Sequence, residues 1–333
     1  MKSNFDFLNR YWPALAQIGA TAETYVYSDP NACIYKLGMF AERLVQEILV
    51  FEHIAEPTID NNHANRIRIL KRAGLLPHEI DNTLYVLRKT RNSAVHTGAD
   101  SVDEAKTLLS MTYNLAVWFM ETYGDWGYIA PEFIMPVETA HENLESVIAE
   151  QEKKIAELTK QLAVVTTAAS DKTQKERAKR SESVSAMMNW NEAQTRCLID
   201  EQLRLSGWEA DTQNLRYSKG TRPVKGRNIA ISEWPTNSAF YKNGYADYAF
   251  FVGEKLVALM DAKKMSEDVA STIDVQVKDY AAHIKSEDLP YTVGNWNGYQ
   301  IPFLFASNGR AYLEQLRTKS GIWFLDVREQ ENQ

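Results

Sequence analysis

The sequence predicts an α + α/β protein with an N-terminal all-α domain, a long helical connector and a C-terminal α/β domain. Apolar residues recur every three or four positions in the N-terminal third, as in amphipathic helices. A stretch rich in Glu, Lys and Gln follows, with apolar residues at heptad spacing. The C-terminal part carries short β-branched and aromatic runs separated by turn residues. We place the domains at residues 1–136, 137–188 and 189–333.

Composition restricts the class of protein. The chain has 333 residues, 44% of them hydrophobic, which favours two globular domains. It contains no apolar run long enough to span a membrane and no signal-peptide core, so we expect a cytoplasmic protein without membrane contact. Cys33 and Cys197 lie far apart, which excludes a disulfide framework and a zinc motif. The net charge of −7 does not indicate a nucleic-acid binder, although charge can be local.

The first domain is predicted to be helical from Phe5 to about Tyr123. Residues 34–54 and 101–123 show the clearest helical periodicity, and Pro77 and the segment 98–100 indicate turns. From about residue 137 to 185 the composition shifts to Glu, Lys, Gln and Ala, and the apolar residues between Leu144 and Val165 alternate by four and three with one polar interruption at Gln151. This predicts one long helix that pairs with another chain, binds a partner subunit or holds two domains apart. The charged stretch 171–180 is predicted to be a solvated helix end or a flexible linker.

The C-terminal domain is predicted to be a layered α/β structure. Its central feature is a hairpin in which residues 245–252 and 256–260 form strands around Gly253-Glu254-Lys255. The other elements are predicted as helices at 190–205 and 269–284 and as strands near 209–214, 228–233, 302–307 and 321–327.

Three charged residues occur at the ends of the two apolar hairpin strands: Asp247, Asp261 and Lys263. Unpaired buried charges are costly, so their presence there needs a reason. Two carboxylates from neighbouring strands can hold Mg²⁺, and a lysine two residues after Asp261 points to the same face. Its ammonium can orient a water or balance phosphate charge, which favours hydrolysis of phosphodiester bonds.

The hairpin register decides whether the two aspartates share a face. With a two-residue turn and regular pairing, Ala246 lies opposite Asp261 and Asp247 points to the other face. A three-residue loop, Gly253 to Lys255, sets Asp247 opposite Asp261. We therefore predict that loop, or a bulge of equal effect, with Gly253 or a neighbour at positive φ.

Further polar residues are candidates for the same site. Gln276 and Tyr280 are four residues apart on a predicted helix, so they share a face. Glu192 opens another helix, where it is either a metal ligand or, with Asn189, part of a capping box. Basic residues in the loop before the hairpin are candidates for contacting DNA phosphates, the alternative being a solvated loop: Arg216, Lys219, Arg222, Lys225 and Arg227.

The order Asp247, Asp261-Ala262-Lys263, Gln276 to Tyr280 resembles the PD-(D/E)xK nuclease core, in the version found in the R (HsdR) subunit of type I restriction enzymes. Segments 191–208, 215–219, 229–235, 301–310 and 318–328 also resemble that subunit. The resemblance implies a restriction-endonuclease-like fold with Asp247, Asp261 and Lys263 as the catalytic triplet. It implies that Gln276 and Tyr280 assist and that Glu192 is the early-helix acid. Many relatives carry Glu at the position of Asp261, and the shorter acid withdraws that ligand by one methylene.

The helical domain carries a second motif. Arg91-Asn92-Ser93-Ala94-Val95-His96 matches the R-N-x-x-x-H pattern of HEPN-like domains, and the segment resembles a helical domain of unknown function that precedes some type I R subunits. Arg91, Asn92 and His96 then form either a ribonuclease site or a polar cluster that fixes the helices.

The resemblance implies a DNA endonuclease that uses Mg²⁺, with Mn²⁺ as a possible substitute. The implied partners are double-stranded DNA and the methyltransferase (M) and specificity (S) subunits. ATP enters only through motor domains, because the chain lacks a G-x-x-x-x-G-K-[ST] motif and looks like the N-terminal part of such a subunit. The alternatives are a HEPN-type ribonuclease, which needs no metal, and a non-catalytic docking arm of the restriction complex.

Overall fold

The computed structural model describes residues 3–97, 101–138, 144–159, 167, 169–188, 190–240, 244–265, 267, 269–310 and 321–332. It divides into two compact units, Met1–Met188 and Asn189–Gln333. The first unit is helical and the second is built on a mixed sheet, so the α + α/β class is confirmed. None of the helices in the described ranges has the length and apolarity of a membrane span.

Helices form the first unit, as the periodicity predicts. Proline occupies the first position of α1 and α2, where its missing N–H costs no hydrogen bond, and Asp29 caps α2 by accepting from the backbone of Ala32 at 2.9 Å. Large aromatic side chains fill the interior, including Phe40, Trp118 and Tyr123. The helices are α1 (Pro13–Ser28), α2 (Pro30–Phe51), α3 (His63–Arg72), α4 (His78–Thr97), α5 (Val102–Phe119), α6 (Leu144–Thr159) and α7 (Gln174–Ser185).

The predicted long helix is present in its first part as α6 (Leu144–Thr159), but the chain does not continue as one helix to residue 185. Helix α7 begins anew, because Thr173 and Glu176 form a reciprocal capping box that ends any helix arriving from before it. Before this cap, Thr167 donates to the carbonyl of Tyr123 at 2.7 Å and starts a turn with Ser170. The heptad positions between 160 and 166 lie outside the described residues.

The segment 171–180, predicted to be a solvated helix end or a flexible linker, is exposed up to Glu176 but is held in the fold from Arg177 onward. Arg177 is buried and its guanidinium pairs with Glu52 at the end of α2, at 2.5 Å. Trp118 of α5 donates to Ser181 at 3.2 Å. Helix α7 is therefore packed into the first compact unit.

The second unit places helices on both faces of a six-stranded sheet. Helix α8 (Glu192–Leu205) packs on one face through Ile199, and α9 (Ala270–Thr272), a π-helical turn (Ile273–Val277) and α10 (Lys278–Ala282) pack on the other. The strands are β1 (Glu209–Ala210), β2 (Asn228–Thr236), β3 (Gly244–Val252), β4 (Lys255–Ala262), β5 (Phe303–Ser307) and β6 (Ile322–Asp326).

The strands lie side by side in chain order. Pairs β1–β2 and β4–β5 are parallel, and the remaining pairs are antiparallel. The central strands β3 and β4 are buried on both faces, which explains their nearly continuous apolar sequence. The predicted strand 209–214 was too long, because the Asp211 carboxylate accepts from the backbone of Gln213 and Asn214 and forms a turn there.

Candidate active site

The hairpin brings Asp247 and Asp261 opposite each other. The turn has two residues, since Val252 pairs with Lys255, so the predicted three-residue loop is wrong. The alternative, a bulge of equal effect, is confirmed: Phe251 pairs with Leu256 and Phe250 with Ala258, which leaves Val257 as the extra residue. Beyond the bulge Tyr248 pairs with Met260, and the next pair in this register is Asp247 with Asp261. Gly253 has the predicted positive φ, 60°.

Both aspartates are buried at the ends of their strands. Their side chains are 13% exposed for Asp247 and 2% for Asp261. The Oδ2 atom of Asp247 accepts from the backbone N–H of Ala262 at 2.7 Å, which ties the end of β4 to β3. The Oδ2 atom of Asp261 is buried and accepts no hydrogen bond, although the Nζ atom of Lys263 lies 3.1 Å away. Two carboxylates are thus held close together with one oxygen unsatisfied.

Lys263 is fixed by the helix on the neighbouring face. Its Nζ atom donates to the side-chain carbonyl of Gln276 at 2.9 Å, and the amide of Gln276 donates to the hydroxyl of Tyr280 at 2.9 Å. Gln276 lies in the π-helical turn, a feature often found where a helix serves a site. The structure therefore joins Tyr280, Gln276 and Lys263 in one chain of hydrogen bonds, and the ammonium at its end lies 3.1 Å from Oδ2 of Asp261.

Burial and mutual repulsion set the protonation of the pair. Burial raises the pKa of Asp247 to about 7, and the neighbouring carboxylate of Asp261 adds to the rise, while Arg196 and the Ala262 N–H oppose it. Burial also raises the pKa of Asp261, against the effect of Lys263. Burial by itself lowers the pKa of Lys263, but the surrounding carboxylates outweigh it and the pKa is raised. The lysine is charged at neutral pH, and the aspartate pair holds a proton with intermediate affinity.

Glu192 reaches the site only through an arginine. The capping box of α8 is formed by Asn191 and Gln194, so the proposed box with Glu192 is wrong, and Asn189 lies outside the described residues. Glu192 is instead the first residue of α8, and its Oε1 atom lies 2.6 Å from Nη2 of Arg196. The same Nη2 contacts Oδ1 of Asp247. Whether Glu192 also binds metal stays a prediction.

Two residues of the site escaped the sequence analysis. Arg196 follows Glu192 by four positions, a spacing typical of an ordinary surface ion pair on a helix. Glu233 in β2 lies between the pairs Ser232–Tyr248 and Trp234–Ala246, so it is opposite Asp247. Its φ of 52° is rare for a residue with a side chain, and no sequence signal predicts it. The Glu233 carboxylate pairs with Arg216 and lies 3.8 Å from Arg196.

The fit to a metal ion rests on the aspartate pair. Within the described part of the chain, no group of three or more His, Cys, Asp or Glu side chains is arranged to hold a metal. Mg²⁺ does not require such a cage, since it binds one or two carboxylates and keeps several waters. The buried, unsatisfied Oδ2 atom of Asp261 beside Asp247 supplies the oxygen donors that this ion prefers. The residues therefore fit Mg²⁺ or Mn²⁺.

The basic loop is only partly free to contact DNA. Arg227 pairs with Glu209 and Arg216 with Glu233, so neither charge is free for a phosphate. The guanidinium of Arg222 stacks on Tyr217, 3.7 Å from the ring centre. Lys219 and Lys225 are exposed and form no ion pair with any described residue. Of the five predicted DNA contacts, Lys219, Arg222 and Lys225 keep an available charge, and Arg216 and Arg227 do not.

The second motif lies on α4 of the helical unit. Arg91 donates to Glu42 of α2 at 2.7 Å, and its guanidinium lies 4.9 Å from the ring centre of Tyr35. A Cβ atom on Gly38 of α2 would come within 2.3 Å of the Arg91 side chain, so the two helices are closely packed around this residue. Asn92 is exposed, and the side chain of His96 lies outside the described residues. These contacts favour an interhelical polar cluster.

Two family models match separate parts of the chain. Residues 209–333 match the family described as "Type I restriction enzyme EcoKI endonuclease subunit second domain", and residues 20–161 match "Domain of unknown function (DUF4145)". The chain is 29% identical over 405 aligned positions to the "Type I restriction enzyme EcoKI endonuclease subunit" of Escherichia coli (strain K12). That match covers 99% of this chain and 34% of the relative, so the chain spans about a third of that protein's length. No solved structure matches the chain.

Proposed function

We propose that this chain, which is similar to the endonuclease subunit of a type I restriction enzyme, is a Mg²⁺-dependent DNA endonuclease module that corresponds to the N-terminal part of such an R (HsdR) subunit. The observation that carries the proposal is the buried pair of Asp247 and Asp261 with Lys263 beside it. Such a cluster raises the free energy of the metal-free protein, and a divalent cation relieves it. The site follows the PD-(D/E)xK pattern with Asp at the second acidic position.

The side chains divide the work between them. Asp247 and Asp261 would hold Mg²⁺, which would supply charge stabilisation to a phosphodiester under attack. Lys263 stays protonated and places a positive charge beside Asp261, where it can stabilise developing negative charge on the phosphate. Gln276 and Tyr280 hold the lysine in place through their hydrogen bonds.

We further propose that double-stranded DNA is the substrate and that Lys219, Arg222 and Lys225 contact its backbone. Three such contacts give weak, salt-sensitive binding without base recognition. Site choice would then come from methyltransferase and specificity subunits, and DNA delivery from ATP-driven motor domains, in a cytoplasmic restriction complex. We therefore expect the isolated chain to nick DNA weakly and without sequence preference.

A nicking assay tests this proposal. Supercoiled plasmid is incubated with the full chain and Mg²⁺, and we expect slow, sequence-independent conversion to the open-circular form that stops in EDTA and does not change with ATP. Lys263→Met and Asp261→Asn should each reduce the rate by about 10²-fold or more, because a group that stabilises the transition state is lost. Lys264→Met is the matched control, since Lys264 is the exposed neighbour of Lys263.

Two results would contradict the proposal. Nicking that persists in EDTA, or that survives in Lys263→Met at the rate of Lys264→Met, would place the activity elsewhere. Efficient cutting at one defined sequence by the chain alone would show that recognition lies within these residues.

A further inference from the structure

Arg196 lies at the centre of a group of carboxylates. Its Nη2 atom is 2.6 Å from Oε1 of Glu192 and also contacts Oδ1 of Asp247. Its Nη1 atom is 3.8 Å from Oε1 of Glu233. The side chain is largely buried, with 17% of its surface exposed. A single guanidinium thus bridges acidic side chains from α8, β2 and β3.

The backbone that carries Arg196 is fixed against the sheet. The hydroxyl of Tyr248 donates to Oδ1 of Asp200, one helical turn after Arg196, at 2.9 Å and lies 3.3 Å from the carbonyl oxygen of Arg196. Asp200 also accepts from the backbone and the hydroxyl of Thr212. These buried contacts lock α8 onto β3, next to Asp247. Arg196 is therefore built into the site by the fold, not placed there by a flexible loop.

Glu233 shows that the arrangement is maintained at a cost. A left-handed backbone at a residue with a side chain is strained and persists only where its surroundings hold it. Here the Glu233 carboxylate is held by Arg216 on one side and faces Arg196 on the other. The strained residue turns its carboxylate toward the guanidinium, which increases the negative charge that Arg196 balances.

The charges around the site leave room for one metal ion. Four carboxylates and three cationic side chains give a net charge of −1, which a single divalent cation more than balances. Three of the carboxylates already share Arg196, and the fourth, Asp261, keeps the unsatisfied oxygen. The carboxylates are Glu192, Glu233, Asp247 and Asp261, and the cations are Arg196, Arg216 and Lys263.

We propose that Arg196 is a resident cation that occupies the place of a second metal ion, so that the nuclease site takes one divalent cation per chain. The inference rests on the proposed function, because it assumes that Asp247 and Asp261 bind that cation. A second ion in the position of the Arg196 Nη2 atom, between Glu192 and Asp247, would have to displace a largely buried guanidinium whose backbone is fixed. Removing the guanidinium should open this second position.

Counting bound Mn²⁺ on the full chain tests the inference without relying on activity. Electron paramagnetic resonance of free Mn²⁺ after equilibrium dialysis gives the number of ions bound. We expect one ion per wild-type chain, two in Arg196→Met and one in Arg196→Lys, which restores the charge. Arg204→Met is the matched control and should bind one, since Arg204 lies two turns later on α8 and pairs with Glu201.

The outcomes separate the inference from the proposed function. Two ions per wild-type chain, or one ion in a folded Arg196→Met, would contradict the proposal that Arg196 takes the place of a second metal ion. No ion in the wild type, or an unchanged count in Asp261→Asn, overturns the metal-dependent nuclease itself. Circular dichroism shows whether Arg196→Met folds. If it does not, the electron paramagnetic resonance spectrum of Mn²⁺ bound to the wild-type chain tests the inference. An isolated bound ion supports the inference, and a spin-coupled pair of ions contradicts it.

Discussion

Asp247 and Asp261 connect the chemistry of the site to the stability of the chain. Burial and the proximity of the two carboxylates raise the pKa of Asp247 to about 7, whereas an unfolded aspartate titrates near 3.9. The two groups interact, so the proton belongs to the pair and is released as pH rises through about 7. Between about pH 4 and 7 the folded chain holds a proton that the unfolded chain has lost.

This predicts how stability depends on pH in the absence of metal. The contribution of the raised pKa to stability is complete below about pH 4 and is lost as pH rises through about 7. At pH 8 both buried carboxylates are charged, and their repulsion and burial then oppose folding most strongly. Urea denaturation in EDTA should therefore show a lower midpoint at pH 8 than at pH 6, and Asp247→Asn should reduce this decrease. Asp274→Asn, at an exposed carboxylate in the same unit, should retain it. An equal decrease in wild type and Asp247→Asn would show that the pair does not share a proton.

At the residue scale, the sequence predicts those site residues whose type is unusual for their position. Asp247, Asp261 and Lys263 are detectable because charges are rare in apolar strands. Arg196 is not detectable from the sequence, because its spacing from Glu192 is that of a common helix ion pair. Its second partner, Asp247, is 51 positions away. Glu233 is not detectable either, because its role depends on a positive φ, and the sequence gives no sign of a positive φ at this glutamate.

At the element scale, small irregularities bring the site residues together. The bulge at Val257 offsets the two-residue turn, so that Asp247 and Asp261 face each other despite a hairpin that would otherwise separate them. The pattern of strand residues requires some such device but does not distinguish a longer loop from a bulge. The π-helical turn at Ile273–Val277 is a second irregularity that the sequence does not predict. The spacing of Gln276 and Tyr280 shows that they share a helix face, but it does not show the extra residue in the turn.

Helix α7 gives a prediction at this scale. Arg177 and Glu52 form a buried ion pair, with side chains 9% and 1% exposed. Arg177→Met leaves Glu52 buried without its partner and should lower the free energy of unfolding of the first unit by about 3–5 kcal/mol, measured by urea denaturation followed by tryptophan fluorescence. Lys179→Met, at an exposed position on the same helix, should change it by less than about 0.5 kcal/mol. A cost below about 1 kcal/mol for Arg177→Met would mean that α7 is a solvated linker after all.

The failure to predict α7 has a physical cause. Its composition is that of a solvated helix, and its tertiary contacts come from partners far away in the chain, such as Glu52, which lies 125 positions before Arg177, and Trp118, which donates to Ser181. Thr173 and Glu176 have the capping-box spacing, so the start of the helix was detectable from sequence. The packing of the helix was not.

At the scale of the whole molecule, the chain combines a helical unit with an α/β unit. The fold class follows from hydrophobic periodicity, which reports local structure in each half. The function does not follow from the fold, because it depends on a few side chains at the ends of β3 and β4 and on the helices beside them. The helical unit carries the Arg91 motif, and the contacts of Arg91 with Glu42 and Tyr35 favour a role for that residue in packing between helices.

The most direct test is the anomalous scattering of Mn²⁺ in a crystal of the full chain soaked in the metal. We predict one peak at ligand distance, about 2.0–2.3 Å, from carboxylate oxygens of both Asp247 and Asp261, with Lys263 nearby and Arg196 still in contact with Asp247. An absent peak at this place, a peak bound only by other residues, or the two carboxylates on opposite faces of the hairpin would contradict the nuclease site.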